Sequence, residues 1–221
     1  MLAQFVDLTF HGIGEPTRGL DEDEADVWLD RSRFLRVLDA VAGRDDVRIT
    51  FDDGNASDLE HALPALRERG LTAAFFVVAG RVGAPGFVDA AGIRALDGAG
   101  MTVGCHGLRH RPWRSLDDHT LERDLVDARA SLESIVGQPV AQAACPFGSY
   151  DRRVLRALRR SGFRTVYTSD TGTARPEAWI QARNTVHSGD AADLVERILH
   201  EQRPAHRAWR LRAKRVAKRW R

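Results

Sequence analysis

The feature that most constrains the fold of this chain is a regular alternation of short apolar segments with amphipathic ones. Six or seven segments with the composition of buried strands each lead into a stretch with helical periodicity, and the connections are short. Such alternation is typical of a mainly parallel sheet covered by helices. Because no glycine-rich phosphate loop follows any strand, a closed or nearly closed α/β barrel is favoured over a doubly wound, dinucleotide-binding sheet.

The strongest chemical signal lies at the end of the second predicted strand, where Asp52 and Asp53 are followed by Gly54. Two adjacent carboxylates repel each other unless a positive group lies beside them. A divalent cation would meet this need, with one aspartate as its ligand and the other free to act as a base. From these residues alone, the alternative is a pair that caps a helix predicted to open at Ser57 and Asp58.

A second signal follows the predicted strand 101–105, where His106 and His110 lie four residues apart. In a tight loop or a helical turn, this spacing places both rings on one side, within reach of one ion. A lone histidine is more often a satisfied polar group than a ligand. Two histidines at the same end of the sheet as the aspartate pair favour a metal site. Two imidazoles and one carboxylate suit Zn²⁺ and leave a position for water, as in catalytic zinc sites.

These motifs resemble those of a known family, the polysaccharide deacetylases of carbohydrate esterase family 4, over roughly residues 5–187. Thr50–Gly54 matches the family's first motif, and His106–His110 is similar to its second. The resemblance implies that Asp52 is the general base and that Asp53 joins both histidines as metal ligands. The implied cofactor is a divalent metal, most simply Zn²⁺, with Co²⁺, Ni²⁺ or Mn²⁺ as alternatives. The implied fold is a distorted (β/α)7-type barrel of parallel strands, with the site at their carboxyl ends.

The segment 145–151 resembles the family's third motif, which forms a wall of the substrate groove. The resemblance implies that Pro146, Phe147 and Gly148 line this groove and that the Phe147 N–H faces the oxyanion. Trp113, just after the second motif, is a candidate platform for a sugar ring, with packing in the core or at the rim as the alternative.

The chain departs from the family pattern at three places. Gly107 stands where the second motif usually has Ser or Thr, and Ala144 stands where the third motif has the arginine that tethers the base. Asp52 must then be oriented by another cation, for which Arg183 and Arg109 are the candidates. The late Leu-x-His motif, which supplies the general acid in the family, has no clean match.

The general acid therefore has to come from elsewhere. The chain is similar to the branch of the family that deacetylates poly-N-acetylglucosamine, in which a histidine after the first strand serves as the acid. His11 occupies that place, with a capping or core histidine as the alternative interpretation. His187, after the last predicted strand, is its competitor.

Charge is distributed unevenly along the 221 residues. Residues 203–221 contain nine lysines and arginines and no acidic residue, whereas the rest has 24 basic against 31 acidic residues. Apolar residues recur on one face of this tail, which predicts a basic amphipathic C-terminal helix that binds an anionic membrane surface. Docking onto the acidic body is the alternative, and nucleic acid is the least favoured partner.

We therefore predict a deacetylase-like (β/α) barrel in residues 1–201 and a basic tail in residues 202–221. No stretch approaches the roughly 20 apolar residues of a membrane span, and no signal segment is recognised, which predicts a cytoplasmic protein at the inner face of the membrane. The resemblance implies a metal-dependent hydrolase that removes N-acetyl groups from a polysaccharide or a lipid-linked glycan. A non-catalytic glycan-binding protein on a decayed deacetylase barrel is the alternative, suggested by Ala144 and the absent late motif.

Overall fold

A ring of parallel strands forms the centre of the molecule. The computed structural model describes residues 4–20 and 22–189, and in it seven strands pair in chain order and close into a barrel. The last strand pairs with the first, so the ring has no open edge. The strands are β1 Val6–Phe10, β2 Val47–Asp53, β3 Ala73–Val77, β4 Thr102–Cys105, β5 Gln142–Ala144, β6 Thr165–Thr168 and β7 Ile180–Thr185.

Helices surround this ring. The described residues form six of them: α1 Glu22–Val27, α2 Arg31–Val41, α3 Leu63–Glu68, α4 Ala90–Gly98, α5 Asp118–Val136 and α6 Arg152–Arg160. Four start at an aspartate whose carboxylate accepts a backbone N–H three residues later, which satisfies an otherwise unpaired donor of the first turn. These capping residues are Asp30, Asp89, Asp117 and Asp151.

The helix predicted to start at a Ser57 cap begins differently. The Ser57 hydroxyl accepts the backbone N–H of Ile13 at 3.2 Å and caps nothing. The chain first forms a π-helical segment, Asp58–Ala62, and changes to α3 where Pro64 occupies the first turn. Proline is tolerated there because its missing N–H would have no intrahelical partner. π-Helical turns often occur at functional sites, and this one follows the aspartate pair.

Strand side chains alternate between two environments. Apolar residues such as Phe10, Phe51 and Phe75 belong to the core that includes helix residues such as Phe34. The rings of Phe51 and Phe75 stack at 4.6 Å, and those of Phe10 and Phe34 meet edge to face at 5.2 Å. Burial of these rings is the main apolar contribution to stability in this part of the barrel wall.

The other face of the strands carries polar side chains that pair with one another across the barrel. Arg48 on β2 donates to both carboxylate oxygens of Asp7 on β1, at 2.6 and 2.8 Å, and to Gln181 on β7 at 3.0 Å. One layer higher, the hydroxyls of Thr9 and Thr50 lie 3.0 Å apart. Because buried polar groups are costly unless hydrogen-bonded, this network restricts how the strands can be arranged.

None of the helices in the described part of the chain is both long enough and apolar enough to span a bilayer. The predicted boundary at residue 201 and the basic tail, 202–221, lie outside the described residues.

Candidate active site

A pocket of about 450 Å³ lies at the carboxyl ends of the barrel strands, the end at which (β/α) barrels place their active sites. It contains the predicted base, the three predicted metal ligands, both candidates for the general acid and one predicted groove residue. Its described lining is His11, Glu24, Val27, Asp52, Asp53, Arg81, His106, His110, Phe147, Ser169, Thr185 and His187.

The three predicted ligands form one cluster. Oδ1 of Asp53 lies 3.1 Å from Nε2 of His110 and 3.6 Å from Nε2 of His106, and one ligand atom from each residue falls within 4.8 Å of the others. Asp53 has a φ of 78° and His110 a φ of 49°. These left-handed conformations are uncommon for non-glycine residues, and they occur where the chain leaves β2 and where the second motif ends.

The chemistry of this cluster fits a divalent cation. Oδ1 of Asp53 is buried and accepts no hydrogen bond within the described residues, although it faces two imidazoles. Nδ1 of His106 contacts the carbonyl oxygen of Ala144 at 2.9 Å, which leaves Nε2 for a metal, as histidine ligands commonly require. Burial lowers the pKa of His110 to about 4, helped by the charges of His106 and Arg81 and opposed by Asp53, so its ring is neutral at pH 7. Two imidazoles and a carboxylate suit Zn²⁺, Co²⁺, Ni²⁺ or Mn²⁺.

A buried carboxylate holds residues 106–110, hereafter the histidine loop. Asp124 accepts the backbone N–H groups of Leu108 and Arg109, at 3.1 and 3.3 Å, and the indole N–H of Trp113 at 3.0 Å. Gly107 has a φ of 79°, and a Cβ atom there would lie 2.6 Å from Oδ2 of Asp124. This packing and the positive φ favour glycine over Ser or Thr at position 107, and the hydrogen bonds to Asp124 restrain the loop.

One sequence-based expectation needs correction here, and one residue of the site was missed. Trp113 is fully buried, with an exposure of 0%, so it packs in the core beside Asp124 and cannot be a platform for a sugar ring. Asp124 itself was missed. The signal for it was available, because Asp124 falls three residues after Leu121 and one before Leu125, on the apolar face of α5, where an unpartnered carboxylate would be costly.

Arg183 provides the cation that Asp52 requires. Its two terminal nitrogens donate to the two carboxylate oxygens of Asp52, each at 2.6 Å, and both side chains are buried. Burial alone would raise the pKa of Asp52, but the charge of Arg183, followed by that of His106, outweighs it and holds this pKa well below its usual range. Asp52 is therefore ionised at neutral pH. Arg109, the other candidate, has an exposed side chain, and its contact with the site is a backbone N–H to Asp124.

The barrel interior explains why this arginine comes from β7. Ala144 packs with Phe76 and Tyr167 in a small apolar cluster, and the guanidinium of Arg183 lies over the same two rings, at 5.2 and 5.7 Å from their centroids. An arginine at position 144, as in the family pattern, would have to share that space. The small side chain of Ala144 is thus compatible with the tether coming from another strand.

Phe147 forms one wall of the pocket. It has a φ of 56° and is 58% exposed, and its ring lies 4.5 Å from that of His110. Pro146 and Gly148 are buried within the same turn. Of these three predicted groove residues, only Phe147 therefore faces the described pocket, because the left-handed turn directs its side chain outward and encloses its neighbours.

Both candidates for the general acid line the pocket, in different surroundings. Nδ1 of His11 is buried without a hydrogen-bond partner among the described residues. Burial lowers the pKa of His11, against the opposing charges of Asp53 and Asp52. His187 is more exposed, and its Nδ1 lies 3.3 Å from a carboxylate oxygen of Asp26. His11 is thus the candidate that interacts with the central carboxylates.

Asp58 is a second residue that sequence reasoning did not place in the site. It is 1% exposed, and neither carboxyl oxygen has a hydrogen-bond partner within the described part of the chain. Burial, together with the negative charges of Asp53 and Asp52, raises the pKa of Asp58 well above its usual range. Its buried position beside Asp52 and Asp53 therefore favours the protonated form of Asp58. A helix capped by Ser57 gave no reason to expect a buried carboxyl group at Asp58. In the structure, Asp58 is the buried first residue of the π-helical segment.

Comparisons with known proteins agree with this geometry. The sequence profile of the family described as polysaccharide deacetylase matches residues 40–166. This match spans more than half of the sequence, and the chain belongs to the polysaccharide deacetylase family. The resemblance drawn from the motifs is confirmed.

The chain is also similar to YxkH of Bacillus subtilis (strain 168), whose name places it in the same family. The two are 22% identical over 140 residues, which are 63% of this chain and 50% of YxkH. The chain thus spans about half the length of this curated relative.

Solved structures share the fold. The Streptococcus pyogenes deacetylase PplD, in complex with acetate, superposes with a TM-score of 0.77 at 16% identity, covering 90% of this chain and 100% of PplD. IcaB from Ammonifex degensii superposes with a TM-score of 0.73 at 25% identity, covering 87% of this chain and 95% of IcaB. The predicted fold class, a distorted (β/α)7-type barrel, is confirmed.

The buried ion pair generates a prediction for stability. Arg183→Met leaves the Asp52 carboxylate buried and unpaired, so we expect the metal-free protein at pH 7 to lose about 3–5 kcal/mol of unfolding free energy. Adding Asp52→Asn to Arg183→Met removes the unpaired charge and should restore part of this loss. Urea denaturation of the three proteins measures both effects. A double variant as unstable as Arg183→Met would contradict the proposed cost of the isolated carboxylate.

Asp58 generates a prediction for pH dependence. Its pKa is raised on folding, so above about pH 4 the unfolded chain releases a proton that the folded protein keeps, and stability falls as pH rises. Asp58→Asn removes this penalty. We expect the stability gained by Asp58→Asn to grow with pH above about 4, by at most about 1.4 kcal/mol per pH unit. Denaturation of the metal-free proteins between about pH 4 and 7.5 tests this, and a constant difference would contradict it.

Proposed function

We propose that this protein is a metal-dependent hydrolase that removes the N-acetyl group from an N-acetylated sugar in a polysaccharide or a lipid-linked glycan. The observation that carries the proposal is the meeting of an ionised, tethered Asp52 with the ligand cluster of Asp53, His106 and His110 in one pocket. Membership of the polysaccharide deacetylase family supports it.

Asp53, His106 and His110 would hold the divalent ion, which we propose to be Zn²⁺, with Co²⁺, Ni²⁺ or Mn²⁺ as alternatives. When bound, such an ion supplies Lewis acidity towards the acetamide carbonyl and towards water. The protein's contribution is to hold the donor atoms in place. It does so through the contact of His106 with the Ala144 carbonyl and through the hydrogen bonds that Asp124 accepts from the histidine loop.

Asp52 acts as the general base in this proposal. Its carboxylate is ionised and lies 3.8 Å from Nε2 of His106, next to the ligand cluster. The two hydrogen bonds from Arg183 fix its orientation, so that it takes a proton from water as the water attacks the acetamide carbon. The low pKa makes Asp52 a weak base. We therefore expect it to pass the proton on during the same turnover.

His11 acts as the general acid. Because burial lowers its pKa, a protonated His11 gives up its proton readily to the departing amine, but it is scarce at neutral pH. The proton that Asp52 takes from water provides a supply within the same pocket. The Phe147 N–H is proposed to stabilise the oxyanion, in keeping with the motif that it belongs to.

The alternative of a non-catalytic glycan-binding protein rested on Ala144 and on the absent late motif. The ion pair of Arg183 with Asp52 accounts for Ala144, and His11 offers an acid within the pocket. No further observation favours the alternative.

Two variants distinguish the proposed general base, Asp52, from a proposed metal ligand, His106. Asp52→Asn should abolish acetate release from N-acetylglucosamine oligomers and leave the metal content unchanged, because it removes the base and keeps every ligand. His106→Ala should lose both metal and activity. Metal analysis by mass spectrometry and an enzymatic acetate assay measure the two properties. Full metal content in His106→Ala would exclude His106 as a ligand, and full activity in Asp52→Asn would exclude Asp52 as the base.

A second pair of variants assigns the acid. His11→Ala should lower kcat by roughly 10²–10⁴, as expected for the loss of a general acid, with metal content unchanged. His187→Ala is the matched control and should change kcat far less. The opposite ranking of these two variants in the acetate assay would assign the acid role to His187.

A further inference from the structure

Arg81 lies in the wall of the pocket, in a three-residue 3-10 turn directly after β3. Two backbone hydrogen bonds join this turn to the histidine loop: Ala79 N–H donates to the Gly107 carbonyl at 3.0 Å, and Gly80 N–H donates to the Leu108 carbonyl at 2.9 Å. The position of Arg81 beside the metal ligands is therefore set by the backbone.

The charge of Arg81 is not neutralised by the protein. Arg18, at the edge of the site, donates to both carboxylate oxygens of Glu24 at 2.7 Å, and Arg183 is paired with Asp52. Among the described residues that line the pocket, Arg81 is the only lysine or arginine. No acidic group within the described ranges lies within ion-pair distance of it, and its Nη1 is buried without a hydrogen-bond partner.

The guanidinium is also held in place before any ligand binds. It lies over the ring of Phe87, 4.9 Å from the centroid, and Arg18 lies over the same ring at 4.6 Å. An ordered cation with an unused donor loses little conformational entropy when it binds an anion.

We propose that Arg81 is a subsite for an anionic group, a carboxylate or a phosphoryl group, that the glycan carries beside the acetamide to be cleaved. This inference rests on the proposed deacetylase function and narrows its substrate class. In a 2-acetamido sugar, C1 and C3 flank the carbon that carries the acetamide, and either of them can carry a linkage to another group. A phosphate at C1 or an adjoining uronic acid therefore lies close to the acetamide, and both groups match the planar fork of an arginine.

The two sources of the anion can be separated with matched substrates. The phosphate pair is N-acetylglucosamine 1-phosphate and the neutral methyl N-acetylglucosaminide. The carboxylate pair is a disaccharide of N-acetylglucosamine and glucuronic acid, and the neutral di-N-acetylchitobiose. Acetate release from all four is measured with the metal-loaded wild type, Arg81→Gln and Arg81→Lys. Arg94→Gln, an exposed site on α4 with the same change in net charge, is the control.

We expect Arg81→Gln to raise KM for the anionic member of at least one pair by about 10- to 100-fold, as for a lost charge-assisted hydrogen bond. KM for the neutral members should change by no more than about twofold. Arg81→Lys should recover part of the loss because it keeps the charge. The pair that responds identifies the source of the anion. An equal effect of Arg81→Gln on charged and neutral members, or the same effect from Arg94→Gln, would overturn the proposal.

A failure of the proposed deacetylase function can be distinguished from a failure of the Arg81 subsite. If the metal-loaded wild type releases acetate from none of the four compounds, the deacetylase proposal lacks support with these substrates, and the subsite is then tested by binding alone. Calorimetry with the metal-free wild type and Arg81→Gln compares the dissociation constants of the same four compounds. Binding of the anionic members that is at least about tenfold weaker in Arg81→Gln supports the subsite, and equal binding overturns it.

Discussion

The buried ion pair between Asp52 and Arg183 is the interaction on which the proposed site depends. Removing both charges from water is expensive, and two hydrogen bonds at 2.6 Å offset that cost only if the two side chains are held in register. They come from β2 and β7, and both of these strands flank β1 in the closed ring. The charge state of the proposed base is thus linked to closure of the barrel, so that an opened barrel would also lose its ionised base.

The chain departs from its family's usual motifs at three places, and two of these departures are matched by a partner elsewhere in the fold. Ala144 replaces the usual arginine, and Arg183 reaches the same carboxylate from another strand. Gly107 replaces a hydroxyl residue, and Asp124 holds the histidine loop from α5. In both cases a small residue leaves room and a charged one supplies the interaction. At both places, an interaction that the motif lacks is supplied by a residue far away in the sequence.

The charges of the pocket are placed so that each can be matched. Asp52 is paired with Arg183, Asp53 faces two imidazoles, and burial of the nearby Asp58 raises its pKa and so favours its protonated form. Arg81 is the exception, a cation with no acidic side chain within ion-pair distance in the described part of the chain. That imbalance distinguishes a site for an uncharged acetamide alone from one that also recognises an anion.

The sequence by itself determined the barrel and its central residues. Alternating strands and helices specify a parallel sheet, and residues at successive strand ends must meet at one rim, which is why the aspartate pair and the two histidines could be placed together. Only the tertiary structure decided which arginine reaches Asp52, what holds the histidine loop and which aromatic residue lines the pocket. Most of these outcomes depend on contacts between strands and helices far apart in the chain and on a π-helical turn, which leave no periodic signal. Asp124 is the exception, because it interrupts the apolar face of α5. The residues decided in this way are Arg183, Asp124, Asp58, Trp113 and Phe147.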